Sequence, residues 1–407
     1  MKKCIVYIGD FDFRNENVQA HLVKNNGKIF NLLGYQTAYI GVNRDKISFE
    51  ELVELPPVIL PDGGIYYELP NTLNLSGTLK CPGVCRRIIQ MLNNLKKEYC
   101  IESIISYQSP TYAIAIKRVA KWCRKNAVNY VVNCADLPIF DLQSTLRKIV
   151  MKRNWNYLHR VNHRYADGII AVSRYIDEFY KKEGRPSIVV PPLFDEKQSS
   201  FDGALNDIPT FLYAGIPFVV TGHEAAPEGM KDRLDLIVDR FLALSAESVS
   251  YRFQIVGISK EDYLASVPRQ REALMRENQI EFLGRKTHAE TLFLIRQADF
   301  SINFRDENLM TKAGFSTKIV ESISSGTPVV INDISDTFLY LKDGQDAFML
   351  RGSAAEDHEI LKMLCALSAE ERLARKKTLF SKKLFDLSNY TDVFASFFAR
   401  LGRCERK

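Results

Sequence analysis

The sequence predicts an α/β protein built from two doubly wound domains whose parallel sheets face each other across a cleft. Three observations carry this. Short continuous apolar runs alternate with helical patterns, which is the signature of strands covered on both faces. At 407 residues the chain suits two to three domains rather than one. A polar run without period, Glu196 to Asp207, interrupts the alternation at its middle and reads as a linker.

The first half opens β-α-β. Cys4–Gly9 reads as a strand, Gln19–Leu33 as a helix stopped by Gly34, and Tyr35–Val42 as the next strand. Ile101–Tyr107 (strand), Pro110–Lys125 (helix), Asn129–Cys134 (strand) and Gly168–Val172 (strand) follow, with a helix starting at Ser173. The pattern restarts with strand Thr210–Ala214, helix Arg233–Leu244, strands Tyr251–Gly257 and Glu281–Leu283, helix Ala289–Gln297 and strand Phe300–Asn303. The division is therefore an N-terminal Rossmann-like domain over 1–195 and a second over 196–385. A C-terminal helix over 386–407, with an apolar stripe at Asp392–Leu401, can cross back to the first domain.

Composition narrows the function. Hydrophobic residues at 46% and charged residues at 26% exclude a disordered chain. A net charge of +6 suits a phosphate-bearing partner and, with no recognised module beside it, argues against nucleic acid. No apolar run is long enough to span a bilayer, and the start runs into Asp10 too soon for a secretory leader, so a cytoplasmic location is expected. The eight cysteines lack zinc-type spacing and are expected to be reduced thiols.

The most informative stretch is Ala313–Ile331. Ser316 or Thr317 caps a helix from about Lys318 to Ser325, Gly326 stops it, and Thr327-Pro328 turns into a strand. A helix start favours an anion, so a diphosphate can lie over Ser316, Thr317 and Lys318, with Glu321 one turn on to accept ribose hydroxyls. A plain capped helix with a solvent-facing Glu321 is the alternative. The strand Phe211–Ala214 ends at Gly215, where a ligand can approach the backbone, and Lys231 stands where it can neutralise a leaving phosphate. Taken alone, that segment reads better as an ordinary loop with a surface lysine.

Taken as a set, Ala214-Gly-Ile-Pro, Lys231-Asp-Arg-Leu, Ile280-Glu-Phe-Leu-Gly-Arg285 with His288, Asn303-Phe-Arg305, Gly314–Glu321 and Gly326-Thr-Pro-Val-Val330 resemble the donor half of family-four retaining glycosyltransferases of GT-B architecture. Ala166–Tyr175 and Val189–Asp195 resemble the segment before their interdomain linker. The resemblance implies that Glu321 binds the nucleotide ribose, that Thr317 and Lys318 lie near the diphosphate, that Lys231 stabilises the leaving nucleoside diphosphate and that Arg285 flanks the base. It implies no metal and no cofactor beyond the nucleotide-sugar donor.

Two positions depart from that family. The family's first glutamate, separated from Glu321 by seven residues, would fall at Ala313, which moves donor-sugar recognition to the Gly314-Phe315 backbone or Arg305, or removes it. The family's histidine before Asp-Leu-Pro is Ala135 here, leaving Asp136 to orient the acceptor hydroxyl or merely to start a turn. Asp10-Phe-Asp12 has metal-binding spacing in another glycosyltransferase fold, but in this one Gly9, Asp10 and Asn15 are acceptor or diphosphate contacts. Basic clusters at Arg86–Lys97, Lys117–Lys125 and Arg147–Arg164 suit an anionic bilayer carrying a polyprenyl-diphosphate-linked acceptor, with a saccharide acceptor and plain solvated helix faces as alternatives. The departures motivate a rival, a non-catalytic GT-B-like nucleotide- or glycan-binding scaffold. An epimerase or phosphorylase is a further enzyme alternative.

Overall fold

A computed structural model describes residues 1–14, 18–43, 55–70, 81–108, 110–137, 145–195, 201–220, 223–225 and 230–401. The chain divides into two compact units, Met1–Leu193 with Leu387–Lys407, and Phe194–Asp386.

The first unit holds strands β1 (Lys3–Gly9), β2 (Gln36–Asn43), β3 (Val58–Ile59), β4 (Ile65–Pro70), β5 (Cys100–Tyr107), β6 (Asn129–Cys134), β7 (Gly168–Ala171) and β8 (Ser187–Val189). They order as β3-β4-β2-β1-β5-β6-β7-β8. Every pairing is parallel except β3 with β4. Central β1 and β2 are buried along almost their whole length because helices cover both faces, which is why they read as unbroken apolar runs. Gly34 at φ 84° closes the helix Val18–Leu32, with Tyr35 N–H donating back to Phe30 C=O.

The C-terminal helix Thr391–Leu401 packs within this unit. Phe394 meets Phe30 edge-on at 5.3 Å, and Phe397 is fully buried. Gly168 has to be glycine for that helix to sit where it does, since a Cβ there would lie 2.6 Å from Leu401 and 2.8 Å from Phe397.

The second unit is a six-stranded, all-parallel sheet: β9 (Thr210–Ala214), β10 (Arg252–Val256), β11 (Ile280–Gly284), β12 (Phe300–Asn303), β13 (Val329–Asn332) and β14 (Ala347–Leu350). The order β11-β10-β9-β12-β13-β14 turns outward from β9 in both directions, so the chain reverses beside β9 and β12. In doubly wound sheets that switch point leaves a crevice at the carboxyl ends of the strands, where ligands bind. The core beneath is aromatic, with Phe241 stacked on Phe253 at 4.3 Å and Phe211 stacked on Phe300 at 5.2 Å.

Candidate functional site

Three neighbouring strands of the second unit end in glycine with positive φ: Gly215 at 150°, Gly257 at 113° and Gly284 at 66°. Their backbones step against each other, Gly215 N–H donating to Val256 C=O and Gly257 N–H to Gly284 C=O. A Cβ on Gly257 would lie 2.2 Å from Gly215 O, and one on Gly215 would lie 2.0 Å from Lys318 Nζ. The edge is thus a shelf of bare backbone, and the space beside Gly215 is filled by a cation from another element.

That cation is anchored from below. Asp232, fully buried, accepts from Lys318 Nζ at 2.5 Å, Arg305 Nε at 2.7 Å and Tyr213 Oη at 2.7 Å. Lys318 also lies over the Tyr213 ring at 4.8 Å. Burial alone would raise the Asp232 carboxyl, but Lys318 and Arg305 override it and hold the group well below the usual carboxylate range. Burial also pushes the Lys318 ammonium down to about 8, the pull of Asp232 only partly opposing it. The Arg305 backbone is clamped by Asn332, whose amide accepts from Arg305 N–H and donates to Arg305 C=O. Lys231 is exposed and close enough for its charge to lower Lys318 further. Two cations therefore sit on one carboxylate with the exposed Lys231 charge nearby, leaving a positive surplus beside the shelf.

The helix Thr317–Ser324 starts there with Ser316 at the N-cap position, although its hydroxyl, contrary to the expected side-chain cap, accepts from no helix N–H. Its first N–H groups have no intrahelical acceptor and, with the dipole, favour an anion. Lys318 points inward to Asp232 rather than out along the helix start. Glu321 Oε1 lies 3.1 Å from Nε2 of His288, the first residue of the helix His288–Gln297, so the carboxylate is only 24% exposed rather than solvent-facing. Arg285 is exposed just past Gly284. Ala313 is fully buried, Gly314 ends the helix Leu309–Ala313, and Phe315 packs edge-on against Tyr340 and Phe385. Sequence reasoning missed Asp232, which reads as an acid between Lys231 and Arg233 near a helix start. Two cations around an aspartate downstream of a strand-end glycine were the available signal.

In the first unit the carboxyl edge is built differently. Gly9 ends β1 against Tyr107, where a Cβ would lie 2.2 Å from the carbonyl oxygen. Burial first, then the charge of Asp136, raise the Tyr107 hydroxyl well above its usual range. Asp136 is exposed, and Gln108 Nε2 donates to its Oδ1 at 2.8 Å and its C=O at 2.6 Å. Asn15 lies outside the described residues. Asp12 is fully buried and accepts from Arg14 N–H, and no group of three or more potential metal ligands occurs among the described residues.

Residues 218–367 match the family described as Glycosyl transferases group 1. That segment contains Lys231, Asp232, Arg285, Arg305 and Glu321. A search of curated protein sequences finds no match. Solved structures similar over the chain include Anabaena Alr3699/HepE in complex with UDP, at 14% identity and TM-score 0.64, covering 98% of this chain and 100% of that one. A glycosyltransferase from Rickettsia africae matches at 14% identity and TM-score 0.62, covering 100% of both chains. Sucrose-phosphate synthase from Thermosynechococcus elongatus matches at 11% and 0.61, covering 98% and 99%. With the two parallel sheets, these likenesses show the GT-B glycosyltransferase fold.

Proposed function

We propose that the protein is a retaining, family-four glycosyltransferase of hexosyl type. It moves a sugar from a nucleoside-diphosphate donor to a hydroxyl of a glycan or lipid-linked saccharide in cell-surface polysaccharide synthesis. The observation that carries this reading is the cation surplus of Lys231, Lys318 and Arg305 around Asp232, set beside a bare-glycine shelf and a helix start. Such an arrangement stabilises negative charge developing on a departing diphosphate without a metal ion. Glu321, held by His288, accepts the ribose hydroxyls, Arg285 flanks the base, and Ser316, Thr317 and the Gly314-Phe315 backbone lie over the diphosphate and sugar. Asp136, held by Gln108, orients the acceptor hydroxyl beside Gly9 and Asp10. Among the similar structures, HepE was solved with UDP and with UDP-glucose, and another, WaaB, is described as a lipopolysaccharide outer core galactosyltransferase.

The acceptor side favours an anionic membrane surface. The helices Cys81–Glu98, Ala113–Lys125 and Thr145–Tyr165 carry fifteen lysines and arginines and one carboxylate, Glu98, in a chain whose net charge is +6. Ile114, Ile149 and Val150 stand exposed among them. Cationic helices with exposed aliphatics hold to anionic headgroups, which suits a cytoplasmic protein working peripherally on a polyprenyl-diphosphate-linked acceptor. No described helix is long and apolar enough to cross a membrane.

A thermal-shift and calorimetric screen of UDP, GDP, ADP, CMP and their sugar conjugates tests the donor reading, because a ligand of the folded state raises its melting temperature. One selective diphosphate with turnover to an acceptor supports it. Nucleotide binding with no hydrolysis or transfer across the panel favours the non-catalytic scaffold suggested by Ala313 and Ala135.

A further inference from the structure

The first unit reverses its winding between β1 and β5. The chain passes from β1 to β2 and β4 on one side, then returns to β5, β6, β7 and β8 on the other, so its crevice lies outside the carboxyl ends of β1 and β5. Gly9 and Tyr107 are paired at those ends, and Gly9 has no room for a side chain over the Tyr107 carbonyl. The next residue along β5 is Gln108, half-buried. Its Nε2 lies 2.6 Å from Asp136 C=O, 2.8 Å from Asp136 Oδ1 and 3.6 Å from Cys134 Sγ. The Cys134 thiol donates to the same carbonyl at 3.5 Å. An amide turned the other way would set Oε1 against two oxygens that can only accept, so the amide has one orientation. Both Nε2 protons go to Asp136, and Oε1 is left with no partner among the described residues.

We infer that Gln108 is a specificity-determining residue whose Oε1 reads the hydroxyl next to the one that is glycosylated, so that the acceptor is a vicinal diol. The inference rests on the acceptor role proposed above for Asp136. Oε1 shares its carbon with the nitrogen bound to Asp136, so amide oxygen and carboxylate stand side by side. Both only accept. Two adjacent acceptors call for two adjacent donors, and neighbouring ring hydroxyls of a saccharide supply one to each. A phosphate or carboxylate has no proton for either oxygen. The reading is selective because the amide is tied at its nitrogen end, so it cannot turn to offer N–H to a ligand that lacks the second hydroxyl.

The test is transfer by the full chain from UDP-, GDP- and ADP-hexoses to octyl glucoside, octyl galactoside and their monodeoxy analogues, for the native protein, Gln108→Lys and Gln108→Met. The lysine keeps a donor toward Asp136 and the methionine keeps the volume, but neither has an accepting oxygen. In the native protein, removing a hydroxyl that flanks the glycosylated position lowers kcat/KM about tenfold, chiefly through KM. In both variants the intact acceptor has a raised KM and that penalty shrinks to within about twofold, because the contact is already gone. The penalty is a ratio within one protein, so it does not depend on how much of a variant folds. A penalty of native size in the variants, or none in the native protein, overturns the role of Gln108. Total loss of transfer in both variants also overturns it, since a group that only reads the neighbouring hydroxyl costs acceptor affinity and not turnover. Donor hydrolysis without transfer to any of these acceptors overturns the diol acceptor while the donor reading stands, whereas no turnover of any donor removes the transferase reading and the inference with it.

Discussion

The two sheets share a doubly wound plan but bury different polar chemistry. In the second unit the edge is stripped to glycine backbone and underpinned by charge: Asp232 is buried with Lys318 and Arg305 upon it. In the first unit that edge also carries carboxylates, Asp136 held by Gln108 and Glu68 paired with Arg14, but a chain of neutral groups is buried along the sheet. Tyr7 donates to Asn133 and accepts from Asn26, Tyr130 donates to Asn162, and Tyr180 meets His159 Nδ1 at 2.5 Å. Buried charge creates a fixed field for a charged ligand at the cost of desolvation, whereas a neutral amide and hydroxyl network fixes geometry with little field. The fixed field of the second unit fits the anionic donor proposed above.

The largest expected effect comes from breaking the charged edge. Asp232→Ala strands two largely buried cations and should destabilise the second unit by about 3–5 kcal/mol, read as a loss of hydrogen-exchange protection in β9 and β12 with the first unit unchanged. Equal loss in both units would show that the network is not local.

Acid sharpens the same comparison. Burial and the neighbouring His163 lower His159 to about 4 from its ordinary 6.5, so between those values the unfolded chain binds a proton that the native one refuses. The first unit should therefore lose up to about 3 kcal/mol as pH falls from 6.5 to 4. Asp232, depressed below its ordinary 3.8, keeps its contribution to the second unit until the pH drops below that value. At the alkaline end Lys318, lowered to about 8 from 10.5, releases its proton first in the native state, so the second unit gains stability as pH rises across that window. Denaturant melts of native protein and His159→Phe, followed unit by unit, check this; an unchanged acid slope in the variant removes His159 as its cause.

What was legible in the sequence tracks what each residue's neighbours are. Asn129–Cys134, Thr210–Ala214 and Phe300–Asn303 are strands with the bounds their apolar runs suggest, because sheet and helices cover both faces. Gly34, Gly326 and Ser173 mark helix ends through local geometry alone, Ser173 Oγ accepting from Ile176 N–H. β4, reading Ile-Tyr-Tyr-Glu-Leu-Pro, was not legible because Glu68 interrupts the apolar run, and only the fold supplies its partners Arg14 and Asn43. The candidate site divides the same way. The helix start at Ser316 and Thr317 follows from short-range signals, whereas Asp232 acquires its meaning from Arg305, 73 residues on, and Lys318, 86 residues on. Lys318 in turn reads as an outward lysine until Tyr213 and Gly215 give it somewhere to go.

On the donor reading proposed above, Glu321 serves binding and Lys231 departure. Glu321→Ala should weaken binding of the selected nucleoside diphosphate by about 1–3 kcal/mol, the scale of lost charge-assisted hydrogen bonds; unchanged affinity in calorimetry would reject the ribose role. Lys231→Ala should have the smaller effect, because the side chain is exposed and water screens it. Its charge is placed to matter most when the diphosphate gains charge on leaving, so kcat should fall about tenfold, roughly 1.4 kcal/mol, with donor affinity nearly unchanged. If kcat holds and affinity drops instead, Lys231 belongs with the binding cations, and Lys318 and Arg305, already fixed on Asp232, must carry the departing charge between them.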